Sequence, residues 1–153
     1  MIATRLDSGS KFKLALAALE PGDRVRFCAP LMKFTTEGTG RELVLLAQGT
    51  GITPIRSILR DIAERGLDKQ TVLVHVGQDH AFRAETDRLA TRAEYPLTSE
   101  AFKAEVLATV RGGAREATFM ISGAPAFVES TAAILRDQSV PTSQIKCDSM
   151  DGY

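Results

Sequence analysis

Apolar residues along this chain follow two rhythms, short unbroken runs and longer stretches in which they recur every three or four positions. Residues 42–47, 71–76 and 117–121 are such runs, and their lack of polar alternation predicts strands covered on both faces. Residues 53–65 place Ile55, Ile58, Leu59 and Ile62 on one side of a helix, with Gly66 positioned to end it. Residues 82–91 predict a more amphiphilic helix. Thr98 is placed to cap another, running through Val110 with Phe102, Val106 and Leu107 inward, before Gly112-Gly113 breaks the chain. A last helix is predicted over residues 125–136 and a last strand over 144–147. Strands alternating with helices imply an α/β fold, a parallel sheet with helices on both faces. Before Gly38-Thr39-Gly40 the pattern differs. A short Leu- and Ala-rich helix over residues 12–19 ends at Pro21-Gly22, and residues 24–28 alternate as a strand with one wet face should. Residues 30–40 then read as a loop, with Phe34 its one large ring placed for burial.

In a parallel sheet, ligands bind beyond the carboxyl ends of the strands. Two loop-like turns fall there, at residues 48–54 and 122–125. In the first, Gly49 and Gly51 can take positive φ and let a ligand approach the backbone, while Thr50 offers a hydroxyl beside them. Pro54 suits the first turn of the following helix, whose free N–H groups and dipole favour an anion such as a pyrophosphate. Taken alone, Gly-x-Gly without the third glycine of the dinucleotide fingerprint describes a plain strand-to-helix turn equally well.

Composition narrows the classes. At 153 residues, the chain fits one domain with a small appendage. Nineteen basic residues balance nineteen acidic ones, which argues against a chain built chiefly to hold nucleic acid. No apolar run approaches the roughly 18 residues of a membrane span, and the N-terminus lacks a signal-peptide core, so a cytoplasmic domain is expected. Cys28 and Cys147 stand in no metal-ligand spacing and are expected to be reduced. His75, inside an apolar strand, reads as a core histidine and His80 as a rim residue. Asp148 and Asp151 read as solvated charge on a terminus, and no nucleophile–base–acid set can be placed.

Residues 43–59, with Gly49-Thr50-Gly51-Ile52-Thr53-Pro54 at their centre, resemble the ferredoxin–NADP reductase superfamily, whose nicotinamide domain opens with this turn. The resemblance implies a Rossmann-like nicotinamide-binding domain in which Thr50 and Thr53 lie close to the dinucleotide. A second turn is similar to the family's Cys-Gly-Pro-Pro: Ser122-Gly123-Ala124-Pro125 keeps the glycine and last proline, with serine for the cysteine that lies beside the nicotinamide. At the C-terminus, Tyr153 stands where the family covers a flavin ring, though Met150 occupies a position where an aromatic is common. Residues 4–23 look like the tail of the family's flavin-binding barrel. Ser10, with Lys11 and Lys13, matches the helix start that holds the FAD pyrophosphate, although an N-cap serine with two solvated lysines is the plainer reading.

The implied division is residues 1–40, a short remnant of the antiparallel barrel, and 41–153, the NAD(P)-binding domain. The family's Arg-x-Tyr-Ser type motif does not occur in the sequence, so a fragment, one chain of a split assembly or a reduced homologue is expected. The implied activity is hydride transfer from NAD(P)H to FAD, with electrons passed on to an iron–sulfur or haem partner. The alternatives are a dinucleotide-binding module served by a flavin-bearing subunit, and a regulatory subunit with vestigial turns. After the second strand, Gln78 removes the obvious cation for a 2′-phosphate. Asp79 would repel that phosphate and suits a ribose hydroxyl, which favours NADH, while Arg83 remains able to pair with a phosphate.

Overall fold

The computed structural model describes residues 9–26 and 34–150. Five parallel strands form one sheet: β1 (Glu42–Gln48), β2 (Gln70–Val76), β3 (Arg92–Glu94), β4 (Thr118–Gly123) and β5 (Ile145–Ser149). Their order is β3-β2-β1-β4-β5, so the chain reverses its direction of winding between β1 and β4. That reversal leaves a crevice beyond the carboxyl ends of these two central strands.

Helices cover both faces, as the doubly buried runs require. On one face, α2 (Ile52–Glu64) buries Ile55, Ile58, Leu59 and Ile62 against Leu43, Leu45, Leu73 and Met120. On the other, α4 (Ser99–Arg111) and α5 (Pro125–Asp137) bring Phe102, Val106, Val128 and Leu135 onto Val44, Leu46, Phe119 and Ile121. Alternate residues of each strand therefore feed two separate cores. Thr98 caps α4 by accepting the Ala101 N–H. Gly66 (φ +60°) ends α2 in a Schellman turn, with Leu67 N–H donating to the Ile62 carbonyl at 2.9 Å and Gly66 N–H to that of Ala63. Between β2 and β3, α3 (Arg83–Leu89) is joined to α2 by the Arg56–Glu85 ion pair at 2.6 Å. Arg56 holds the Glu85 carboxyl below the usual carboxylate range.

Two elements differ from the sequence reading. β3 escapes notice because Arg92-Ala93-Glu94 is three residues long and charged, features that blunt an exposed sheet edge. The strand expected over residues 24–28 is not formed where it is described. Arg24, Val25 and Arg26 are exposed and pair with no strand, while Phe27 and Cys28 lie outside the described residues. Among the described residues, the expected barrel remnant contributes α1 (Lys11–Ala17), which buries none of its residues, and no antiparallel pairing.

The segment from Phe34 to Gly40 is fastened to the sheet. Phe34 enters the α2-side core. Lys146 donates to the carbonyls of Thr35 and Glu37 at 3.0 and 2.8 Å, and Lys69 to those of Thr39 and Gly40 at 3.0 and 2.6 Å.

Candidate functional site

The two turns singled out by sequence meet at the crevice between β1 and β4. β1 ends in a tight 3-10 turn, Gly49–Gly51, that runs directly into α2, and β4 ends at Gly123 before Ala124 and the start of α5. The cross-strand register sets Ala47 beside Ser122, which fixes how the turns face each other.

The two glycines of the first turn serve different ends. Gly49 takes φ +51°, and a Cβ there would meet nothing within 4 Å, so the space above it is open. Gly51 does not take the positive φ its type allowed. At φ −59° it is required instead by close approach, since a Cβ would lie 2.2 Å from the Ser122 carbonyl oxygen and 2.9 Å from Gly123 Cα. Gly123 is wedged in the same way: a Cβ there would stand 2.8 Å from the Phe127 ring and 3.0 Å from Gln48 Cβ. Thr53 donates its hydroxyl to the Thr50 carbonyl at 3.0 Å and closes the turn, while the Thr50 side chain is exposed.

Both helix starts at this crevice lack a side-chain cap and an acidic residue in the first turn, and α5 opens with Pro125. By contrast, α1 and α4 are capped by Ser10 and Thr98. The Ile52 N–H is taken by the Gly49 carbonyl and Pro54 and Pro125 have none, so these uncapped starts offer an anion chiefly their positive dipole ends. Beside the first turn a cleft of about 120 Å³ is lined by Gly49, Thr50, Ile52, Thr53, Asp79 and Phe82, room for a phosphate- or ribose-sized group. The open space above Gly49 and this cleft leave room that a diphosphate group would fit. A larger cavity of about 510 Å³ opens at the opposite edge of the sheet, near Glu42, Gln70 and Gly113. Neither glycine turn lines it, and it lies at the amino ends of the strands, away from the crevice a doubly wound sheet uses.

Of the residues expected after β2, Asp79 is exposed and lines the cleft. Gln78 turns its amide toward the Leu97 carbonyl at 3.4 Å. Arg83 lies over the Tyr95 ring, 4.5 Å from its centroid, and 3.8 Å from Asp87. Ser122 is fully buried and donates to Asp148 Oδ2 at 3.4 Å. Asp148, read from sequence as solvated charge, is thus a half-buried member of β5 paired with Ser122, because a fifth parallel strand carries it back to the crevice. The Ser10 hydroxyl accepts the Lys13 N–H at 3.3 Å and so caps α1; Lys11 is exposed. Tyr153 and Asp151 lie outside the described residues.

Sequence reasoning missed three participants. Phe82 lines the cleft, takes φ +64° and receives the Arg56 guanidinium on its ring at 4.8 Å. Asp148 is the second. His75 is the third: it is a core residue, as expected, yet its Nε2 lies 3.0 Å from the Gly49 carbonyl oxygen. Burial pushes the His75 pKa down to about 4, against the pull of that bond, so the ring is neutral near pH 7. His80 and Tyr95 pack around it with ring centroids 5.0 and 6.4 Å away. The His80 pKa is lowered by burial and then by Arg83, and the Tyr95 phenol is pushed up to about 12, mainly by burial.

The chain is similar to known proteins. The chain is 30% identical over 150 residues to a flavohemoprotein of Deinococcus radiodurans, an alignment covering 83% of this chain and 37% of that protein. It is 34% identical over 93 residues to NADH-cytochrome b5 reductase 2 of Saccharomyces cerevisiae, covering 58% of this chain and 30% of the other. The chain spans little more than a third of the length of such flavohemoproteins and less of the reductase. Among solved structures, the ferredoxin reductase in carbazole 1,9a-dioxygenase superposes with a TM-score of 0.60 at 20% identity, covering 75% of this chain and 39% of that one, a likeness of fold. Because the family model described as Oxidoreductase NAD-binding domain matches residues 45–133, from β1 into α5, the chain belongs to that family, within the ferredoxin–NADP reductase superfamily.

Proposed function

We propose that this chain is the NAD(P)H-binding part of a flavin-dependent oxidoreductase, and that NADH is the nucleotide it prefers. The observation that carries the reading is the junction of two uncapped, acid-free helix starts at the crevice, held together by the close approach of Gly51 to Ser122 and Gly123. In this reading Gly49, Thr50, Gly51, Thr53 and Pro54 receive the diphosphate and adjoining ribose. Gly123, Ala124 and Pro125 form the second wall, and Ser122 flanks the nicotinamide. When bound beside a flavin, the nucleotide would supply hydride chemistry, and this chain's residues would hold it in place.

The chain's own contribution is position and field. Neither turn presents an acid or base whose proton the transfer needs, and the hydrogen bond from buried Ser122 to half-buried Asp148 keeps that wall polar. Asp79 at the cleft repels a 2′-phosphate and accepts from a ribose hydroxyl, while Gln78 and Arg83 are engaged elsewhere; this supports NADH. The name of the yeast relative points the same way. Ser10, Lys11 and Tyr153 would serve the FAD side, with residues 1–40 as the approach to a flavin-binding barrel. The electron acceptor would be an iron–sulfur or haem protein. Among the described residues no helix is long and apolar enough to cross a membrane, which is compatible with a cytoplasmic site of action.

A binding module that serves a flavin-bearing subunit is the second reading, in keeping with a crevice formed between β1 and β4 of the one sheet and with α1, which buries none of its residues. Titration with NADH, NADPH and FAD, followed by thermal midpoint and absorbance, tests both. NADH at a hundred times its dissociation constant should add about 2.7 kcal/mol of stability. Flavin absorbance retained through purification supports the reductase, and a colourless sample that binds NADH supports the module. No shift with either nucleotide overturns both.

A further inference from the structure

The buried histidine beneath the first turn has a bond that a core-filling role does not explain. His75 is the next-to-last residue of β2, in register with Ala47, and is fully buried. Its Nε2 faces the Gly49 carbonyl oxygen at 3.0 Å. A carbonyl only accepts, so the proton of the neutral ring is on Nε2 and Nδ1 is bare. That Nδ1 is buried and meets no partner. Leucine or phenylalanine would fill the volume without the penalty of an unsatisfied buried nitrogen. The Gly49 carbonyl also accepts the Ile52 N–H, so the histidine adds orientation to an oxygen that already has a partner.

The effect of that orientation follows from peptide geometry. No cis peptide bond occurs among the described residues, and in a trans unit the C=O and N–H point in opposite directions. Drawing the Gly49 C=O down toward the buried ring therefore turns the Thr50 N–H outward, on the side of the turn where Thr50 is exposed and the space above Gly49 is open.

We propose that His75 is a positioning residue for the dinucleotide turn: its Nε2–H, donated to the Gly49 carbonyl, sets the peptide that presents the Thr50 N–H to the diphosphate. The proposal rests on the dinucleotide reading above. His80 and Tyr95 confine the ring from the side, with Asp79 and Arg83 as the charged groups next to His80. Burial keeps the ring neutral, so a single donor proton faces the turn across the neutral pH range.

The test uses the full chain with His75→Phe, which keeps the volume and removes the donor, and His75→Gln, whose side-chain amide can donate from nearly the same place. Nitrogen-15 spectra of the wild-type ring should show the neutral Nε2–H tautomer from pH 6 to 8 (roughly, given its depressed pKa). In calorimetric titration, His75→Phe should bind NADH about tenfold more weakly and His75→Gln within about threefold of wild type. An Nδ1–H tautomer, unaltered binding by His75→Phe, or a folded His75→Gln as weak as the phenylalanine variant would each overturn the proposal. If His75→Phe does not fold, the tautomer and the glutamine variant decide. A wild-type chain that binds neither NADH nor NADPH would overturn the dinucleotide reading itself, whereas tight wild-type binding that His75→Phe leaves intact would overturn only the role of His75.

Discussion

Replacing Gly51 by alanine should pull the two turns apart, and the structure indicates how hard. The residue lies at φ −59°, a conformation alanine adopts readily at a helix start, so the backbone raises no objection. The objection is steric. The new methyl would stand 2.2 Å from the Ser122 oxygen and 2.6 Å from its carbonyl carbon, where ordinary contact begins near 3.4 Å. The turns must therefore separate by about 1 Å, against a β1–β4 ladder that is continuous to the Ala47–Ser122 pair. Both colliding partners are backbone, with no flexible side-chain end to give way. Overpacking of this kind costs about 1–3 kcal/mol, and the upper end is expected here.

For a chain of this size, that loss lowers the thermal midpoint by roughly 6–12 °C. Gly49→Ala is the comparison: its methyl meets nothing, so only the positive φ opposes it, at about 1 kcal/mol. Scanning calorimetry on both variants, followed by NADH titration, should show Gly51→Ala as the less stable, with affinity reduced at least about tenfold. A Gly51→Ala protein that melts within about 2 °C of wild type, or is more stable than Gly49→Ala, would refute the close-approach argument.

Three further outcomes are expected. The His75 pKa near 4 lies below its value of 6.5 in an unfolded chain, so the unfolded state takes up the proton first as pH falls. The stability tied to this group is intact above pH 6.5 and declines toward pH 4 by at most about 3 kcal/mol; urea titrations across that window should show a steeper acid loss for wild type than for His75→Gln, and parallel curves would count against a neutral buried ring. Asp79→Asn should improve NADPH binding relative to NADH by about fivefold, since a charge beside the 2′-phosphate is removed, and an unchanged ratio in paired titrations would place Asp79 away from that ribose. Phe34→Ala empties a buried ring site in the α2-side core and should cost about 3 kcal/mol in urea unfolding; a loss below about 1 kcal/mol would mean that residues 34–40 are not structurally part of the domain.

The sequence by itself determined the alternation of strands and helices, because doubly buried strands and one-sided helices leave periods of hydrophobicity that no partner needs to supply. It also determined the two turns, because residues 48–54 and 122–125 carry backbone chemistry in their own side-chain types, glycine and proline above all. What it left open was what each residue faces. Gly51 looks like a conformational glycine until β4 is laid against it. Likewise, Asp148 looks like a frayed charge until β5 pairs with β4, and His75 like core filling until the end of β1 brings Gly49 over its Nε2. β3, with three residues and two charges, exists only because β2 offers it a ladder. Each of these depends on partners tens of residues away, joined by strand order and register. Those are properties of the assembled sheet, and only the tertiary structure could decide them.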